Sequence, residues 1–308
     1  MKSFARFLNY VKIHTTSNPL SETSPSSEIQ KNLGKVLVDE LIELGINNAY
    51  MDKYGYVYAT IPANTTKKIK TVGFVAHMDT SPDLSGENVN PKLIFKYDGE
   101  DVVLNKDKNI ILSTTEFPFL KSRIGETLIV TDGTTLLGAD DKAGIAEIMA
   151  MAEYFMTNPD VLHGEIKIAF TPDEEIGRGT DHFDVKNFKC DYCYTVDGGI
   201  EGSIDYENFN AASAEVIVEG INIHPGGAKG HMINSILIAQ EFNSLLPSFN
   251  IPQNTQGYEG FNHLCDINGT IEKTSTKFLL YLLFKKSFIN RKSFFCLLNK
   301  SISWFLII

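Results

Sequence analysis

Between Leu136 and Met149 the chain reads LLGADDKAGIAEIM: a short apolar run, a glycine, two adjacent acids, then an alanine-rich stretch of helical character. This order is that of a strand-to-helix turn. It constrains the fold strongly, because α/β sheets place their ligand clefts at the ends of strands. Taken alone, Asp140 and Asp141 need be no more than a helix cap and a complement to the helix dipole. Three other segments give the pair weight, since each ends an apolar run with an acid or a histidine. They are VAHMD with His77 and Asp79, FTPDEEIG with Glu174 and Glu175, and YTVDGG with Asp197.

Periodicity predicts helices over 3–14 and 28–44, the second capped by Ser26 or Ser27 and ended by Gly45. A polar loop, 15–27, separates them. Strands follow in MDKYGYVYATIP and KIKTVGFVAHMD, the latter a buried central strand by its continuous apolar run. Residues 82–127 read as a β-rich excursion. ETLIVTDG, GEIKIAFTP, DYCYTVDG and SAEVIVEG are further strands, with a helix from the 136–149 junction to about Met156 and another from about Lys229 to Pro247. Strands alternating with helices predict an α/β fold with a mixed, partly parallel sheet flanked by helices. The pattern changes near 205–210, where one strand and one long helix suggest a small α+β domain.

The 308 residues suffice for two domains, and 43% hydrophobic with 21% charged residues is ordinary for a globular protein. The net charge of −10 is unevenly spread. Residues 277–308 hold Lys277, Lys285, Lys286, Arg291, Lys292 and Lys300 and no acid, which leaves the body still more acidic. Such a body argues against nucleic acid as a partner. The segment 277–308 breaks in composition and lacks an uninterrupted membrane span, so it reads as a stretch not selected to fold with the rest, and no membrane is expected. Four cysteines do not make a disulfide scaffold. Cys190 and Cys193 form a single CxxC leading into a strand, which predicts buried free thiols. With no signal-peptide pattern at the N-terminus, the cytoplasm is the expected location.

Singly, the site candidates have ordinary explanations: a satisfied histidine, a solvated acidic loop, a turn aspartate. Jointly, one imidazole and several carboxylates at the ends of successive strands match an oxygen-rich two-metal site. Adjacent side chains diverge, so Glu174 and Glu175 are expected to divide the work between proton transfer and metal binding.

AHMD, LLGADDKAGIAEIM, AFTPDEEIG, YTVDGG, NFNAASAEV, HPGGAKG and GYEGFNHL together resemble the zinc exopeptidases that include carboxypeptidase G and aminoacylase. Within that group they are most similar to the tripeptide aminopeptidase branch, peptidase T, to which NVNPKLI and HFDV also point. The likeness covers roughly residues 1–276. It implies a catalytic domain over 1–205, a partial lid and dimerisation domain over 206–276, and two Zn2+ per subunit. It makes Asp140 the bridging ligand, with His77 and Asp197 completing one site and Glu175 serving the other. It makes Glu174 the general base and Asp79 the residue that orients His77. It gives His224, on the lid, the task of polarising the substrate carbonyl in a neighbouring subunit of a homodimer. It also implies a cis peptide bond between Asp140 and Asp141.

The expected reaction is release of the N-terminal residue of a tripeptide. The family's remaining zinc-ligand histidine falls about a hundred residues beyond the end of the likeness, and the last histidine here is His263. The expectation is therefore a weakened second zinc site and impaired activity. The alternatives are an inactive remnant or peptide-binding pseudoenzyme, and a related dipeptidase or N-acyl deacylase.

Overall fold

Val72–His77, the run read as a buried central strand, has hydrogen-bonded neighbours on both sides and is β3 of a five-stranded sheet. The protein is described by a computed structural model covering residues 2–199, 201–207, 209–282 and 306–307. It forms two compact units, 1–201 and 202–308.

The first unit opens with α1 (Ser3–Tyr10) and α2 (Gln30–Glu43). Its main sheet joins β1 (Tyr50–Met51), β2 (Val57–Ile61), β3, β8 (Ile166–Thr171) and β9 (Tyr192–Thr195) in the order β1-β2-β8-β3-β9. The β1–β2 and β2–β8 pairs are antiparallel, whereas β3 runs parallel to both β8 and β9. The sheet is therefore mixed, and the C-terminal ends of its three parallel strands open at one edge. The expected β-rich excursion consists of two small sheets. One pairs β4 (Lys92–Ile94) with β7 (Leu128–Val130), the other β5 (Val102–Asn105) with β6 (Ile110–Leu112).

Helix α3 (Ala139–Thr157) buries Ile145, Ala146, Ile148, Met149 and Ala152. These pack with Phe7 and Tyr10 of α1, with Leu33, Leu37 and Leu41 of α2, and with Val57, Ala76, Ile168 and Phe170 of the sheet. Burial of this apolar set, at roughly 25 cal/mol per Å², holds the helices on the sheet. Neither Ser26 nor Ser27 caps α2. The Ser26 hydroxyl instead donates to Asp173 and that of Ser27 to the Thr16 carbonyl. A short helix, α4 (Val185–Phe188), precedes β9.

The second unit is a sheet of β10 (Asn210–Glu219), β11 (Phe261–Gly269) and β12 (Lys273–Leu282) with α5 (Ser235–Leu245) packed on it. Residues 306–307 pair antiparallel with β10. Its core gathers Val216, Val218, Ala239, Phe242, Phe278 and Leu280. Helix α5 starts later than the sequence predicts, because residues 225–227 form a separate turn and Asn234 supplies the cap by accepting the Ile236 N–H. Strand β12 runs through position 277, and Phe278 and Leu280 are buried in the core. The rest of the segment expected to stand apart, 283–305 and 308, lies outside the described residues. No helix among the described residues is long and apolar enough to cross a membrane.

Candidate metal centre

His77 ends β3 and is 2% exposed, and Asp79 just beyond it is fully buried. The His77 Nδ1 lies 3.0 Å from the Asp79 carbonyl oxygen and 3.4 Å from its Oδ1. Partners on that side fix the ring and direct Nε2 at the surrounding acids. Nε2 is 2.8 Å from Oδ1 of Asp140 and 3.8 Å from both Oε2 of Glu174 and Oδ2 of Asp197.

Asp140 comes from the turn that opens α3. Gly138 there has a φ of 75°, a left-handed conformation that glycine adopts at little cost. The Asp140–Asp141 peptide bond is cis. Neither acid has helical geometry, so the regular helix begins after them. Their side chains part company. Asp140 is largely exposed beside His77. Asp141 is buried and accepts the backbone N–H groups of His77 and Gly144, each at 3.2 Å. In the sequence the doubled acid is the only signal for this role of Asp141.

Glu174 and Glu175 lie in the turn after β8, where the Asp79 carboxylate accepts both their N–H groups, at 3.0 and 3.1 Å. From the other side, the buried Asp173 accepts the Ser26 N–H and the Gln30 Nε2, both at 2.7 Å. Its own N–H donates to the Gln30 Oε1 at 3.1 Å. These supports went unseen in the sequence, since Ser26 and Asp173 are 147 positions apart.

Asp197 follows β9 by two residues. The Val196 N–H donates to the Val75 carbonyl at 2.8 Å, and Gly144 of α3 faces the Val196 carbonyl. A Cβ at position 144 would lie 1.9 Å from that oxygen. Only glycine lets the helix come close enough for Asp197 to join the cluster.

Crowding sets the electrostatics. Burial by itself would lower the His77 imidazole, but Asp79, Asp141 and Asp140 push it up to about 10. Burial raises Asp141 to about 8 and raises Glu174, Glu175 and Asp197 as well. Lys142, buried next to the acid pair with its Nζ on the Ile13 carbonyl at 2.8 Å, is lowered to about 7 by that burial. The acids therefore hold a field that favours added positive charge at His77.

The donor chemistry fits zinc, which accepts imidazole nitrogen and carboxylate oxygen. Two sets of three donors converge with their atoms within 4.8 Å of one another: His77, Asp141 and Asp197, and His77, Asp140 and Glu175. The structure thus brings together His77, Asp79, Asp140, Glu174, Glu175 and Asp197. His224 belongs to the second unit, where its Nδ1 accepts the Gly226 N–H at 3.1 Å.

Known proteins share this fold. The family described as the peptidase dimerisation domain matches residues 206–287. Among solved structures, aminopeptidase PepT from Bacillus cereus superposes with a TM-score of 0.70 at 21% identity, over 99% of this chain and 74% of that one. A dinuclear metal-binding peptidase of the M20 family from Bacillus subtilis superposes with a TM-score of 0.54 at 14% identity, over 97% and 70%. The fold is that of these peptidases, an α/β unit followed by a second unit that the dimerisation-domain family matches. Peptidase T of Halothermothrix orenii is 57% identical over 288 residues, which are 94% of this chain and 71% of that protein. Peptidase T of Caldanaerobacter subterraneus is 57% identical over 293 residues, 95% and 72% of the respective chains. The chain belongs to the peptidase T family, the metallo-aminopeptidases.

Proposed function

We propose that the protein is a dinuclear zinc aminopeptidase that removes the N-terminal residue of tripeptides in the cytoplasm, as a homodimer assembled through its second unit. The observation that carries the reading is the convergence on His77 Nε2 of Asp140, Glu174 and Asp197, at 2.8, 3.8 and 3.8 Å. His77, Asp140 and Asp197 would hold one ion, and Asp140 and Glu175 would hold the other. Zinc supplies a Lewis acid that polarises the scissile carbonyl and makes water a nucleophile near neutral pH.

The chain's own residues do the rest. Glu174, raised by burial, takes the proton of the attacking water and passes it to the departing amine. Asp79 holds the imidazole of His77 and the turn carrying Glu174 and Glu175 in one frame. His224 serves as carbonyl polariser for a neighbouring subunit. With Nδ1 of His77 turned to Asp79, only Nε2 is left to serve one ion, so among the described residues the Glu175 site rests on carboxylates alone. That site is the weaker of the two, and activity is expected to suffer for it.

The test pairs metal content with substrate choice. Elemental analysis of the zinc-loaded protein is expected to find one tightly held ion and a second that dialysis removes. Free-amine tripeptides are expected to be cleaved in preference to dipeptides and N-acyl amino acids. Preferential cleavage of N-acyl amino acids would replace the reading with a deacylase, and no bound zinc would remove it.

A further inference from the structure

The sequence motif left over by the proposed function is CDYC, Cys190–Cys193, and its thiols do not lie where the sequence places them. Cys193 is exposed and Cys190 half-buried, because β9 is an edge strand of the main sheet among the described residues and all four of its residues face solvent. The expected pair of buried thiols is therefore corrected: one sulfur is open to reagents, the other within its reach.

Three features bring the sulfurs together. In the parallel β3–β9 pair, Cys193 stands opposite Gly73. The Thr71 carbonyl accepts the N–H groups of both Asp191 and Tyr192, at 2.9 and 3.3 Å, where the chain bends at Asp191 as it enters β9 beside β3. The absent side chain of Gly73 then leaves one small space that both thiols use. The point where its Cβ would sit is 3.0 Å from the Cys190 sulfur and 3.1 Å from that of Cys193. Burial and the neighbouring Cys190 thiol push Cys193 up to about 12. A disulfide needs the sulfurs to close to about 2.05 Å with the Cβ atoms about 3.8 Å apart. Two residues of spacing across the bend at Asp191 allow that without moving β3.

We propose that Cys190 and Cys193 are a reversible modification site that forms an intramolecular disulfide on reaction with small-molecule disulfides. The step is thiol–disulfide exchange. One protein thiol loses its proton and its sulfur attacks the S–S bond of the small disulfide, giving a mixed disulfide and one small thiol. The second protein thiol then attacks the bonded protein sulfur, forming the 190–193 bond and releasing the second small thiol. The two protons lost by the protein reappear on the two released thiols, and the small disulfide is the oxidant. In a compartment kept reduced, such bridges are transient and redox-sensing rather than structural. The bridge closes at the start of the strand that leads to Asp197. The inference does not depend on the proposed function.

Tryptic cleavage after Lys189 and Lys229 leaves both cysteines on one peptide. The native 308-residue chain is incubated with oxidised glutathione, treated with iodoacetamide and mapped by mass spectrometry. The expected result is that this peptide loses two hydrogens and escapes alkylation, with full recovery of both thiols after dithiothreitol. In Cys190→Ser, which cannot bridge, a stable glutathione adduct is expected on Cys193. Alkylation of both sulfurs in the unsubstituted chain, a persistent adduct on either, or no adduct in Cys190→Ser overturns the proposal.

Discussion

Oδ1 of Asp79 accepts the backbone N–H of Glu174 at 3.0 Å, while the same carboxylate lies 3.4 Å from Nδ1 of His77. One buried acid thus ties together the ends of two neighbouring parallel strands, β3 and β8. Replacing it by asparagine substitutes an NH2 group for one of the two accepting oxygens. Asp79→Asn is expected to bind zinc about 10–100-fold more weakly, the usual effect of losing a residue that orients a metal ligand. Calorimetric titration reads this, with circular dichroism confirming an unchanged fold. An unaltered affinity would contradict the role given to Asp79.

The pH dependence of the metal-free protein has a definite sign. Asp141 is pushed up to about 8 by burial, and Asp197, Glu174 and Glu175 are raised too, whereas unfolded carboxylates titrate near about 4. Between about pH 5 and 7 the folded chain therefore binds more protons than the unfolded one. Its stability falls as pH rises, by up to about 1.4 kcal/mol per unit for the buried Asp141 and by less for the more exposed Asp197, Glu174 and Glu175, which solvent screens. His77, pushed up to about 10, adds to the fall at the upper end. Lys142, lowered to about 7, acts in the opposite direction only above that pH. Urea midpoints in the presence of a chelator are expected to be higher at pH 5 than at pH 7, and zinc to restore stability at pH 7. The reverse order would show that the acid cluster does not govern this range.

Gly144→Ala tests the approach of α3 to the segment after β9. With the added carbon 1.9 Å from the Val196 carbonyl, helix or strand end has to shift. Overpacking of this kind costs about 1–3 kcal/mol. Urea denaturation should register that loss, and zinc affinity should fall with it because Asp197 is displaced. Destabilisation with intact zinc binding would separate Asp197 from the site.

Arg6 is buried between helices and pairs with Glu40 on α2, at 2.5 Å, and with Glu153 on α3, at 2.9 Å. Arg6→Ala removes the guanidinium from between these part-buried acids and leaves Glu40 only the Tyr10 hydroxyl as a donor among the described side chains. A loss of about 3–5 kcal/mol is expected, as for other buried pairs broken on one side. The chemical denaturation midpoint measures it, and a change below about 1 kcal/mol would assign the network to solvated surface pairing.

Much of the architecture is carried by local pattern. The apolar run before His77, the alanine-rich stretch after Asp141 and the alternation in SAEVIVEG state their strand or helix character within a dozen residues. Those rules involve only near neighbours along the chain. The candidate donors are legible for the same reason, because each stands where an apolar run stops.

Other features depend on residues remote in sequence. Ser26 turns from its expected capping task to Asp173, Arg6 finds Glu40 and Glu153, and Gly144 meets the Val196 carbonyl only when helix and sheet have packed. The placement of the cysteine pair likewise depends on Gly73 standing across from Cys193. Sequence by itself determined which groups can bind a cation and which segments are strands or helices, since both follow from side-chain chemistry and short-range periodicity. Tertiary structure alone decided which acid faces His77, which is buried beneath it and which thiol meets solvent, because those outcomes depend on how separate elements pack.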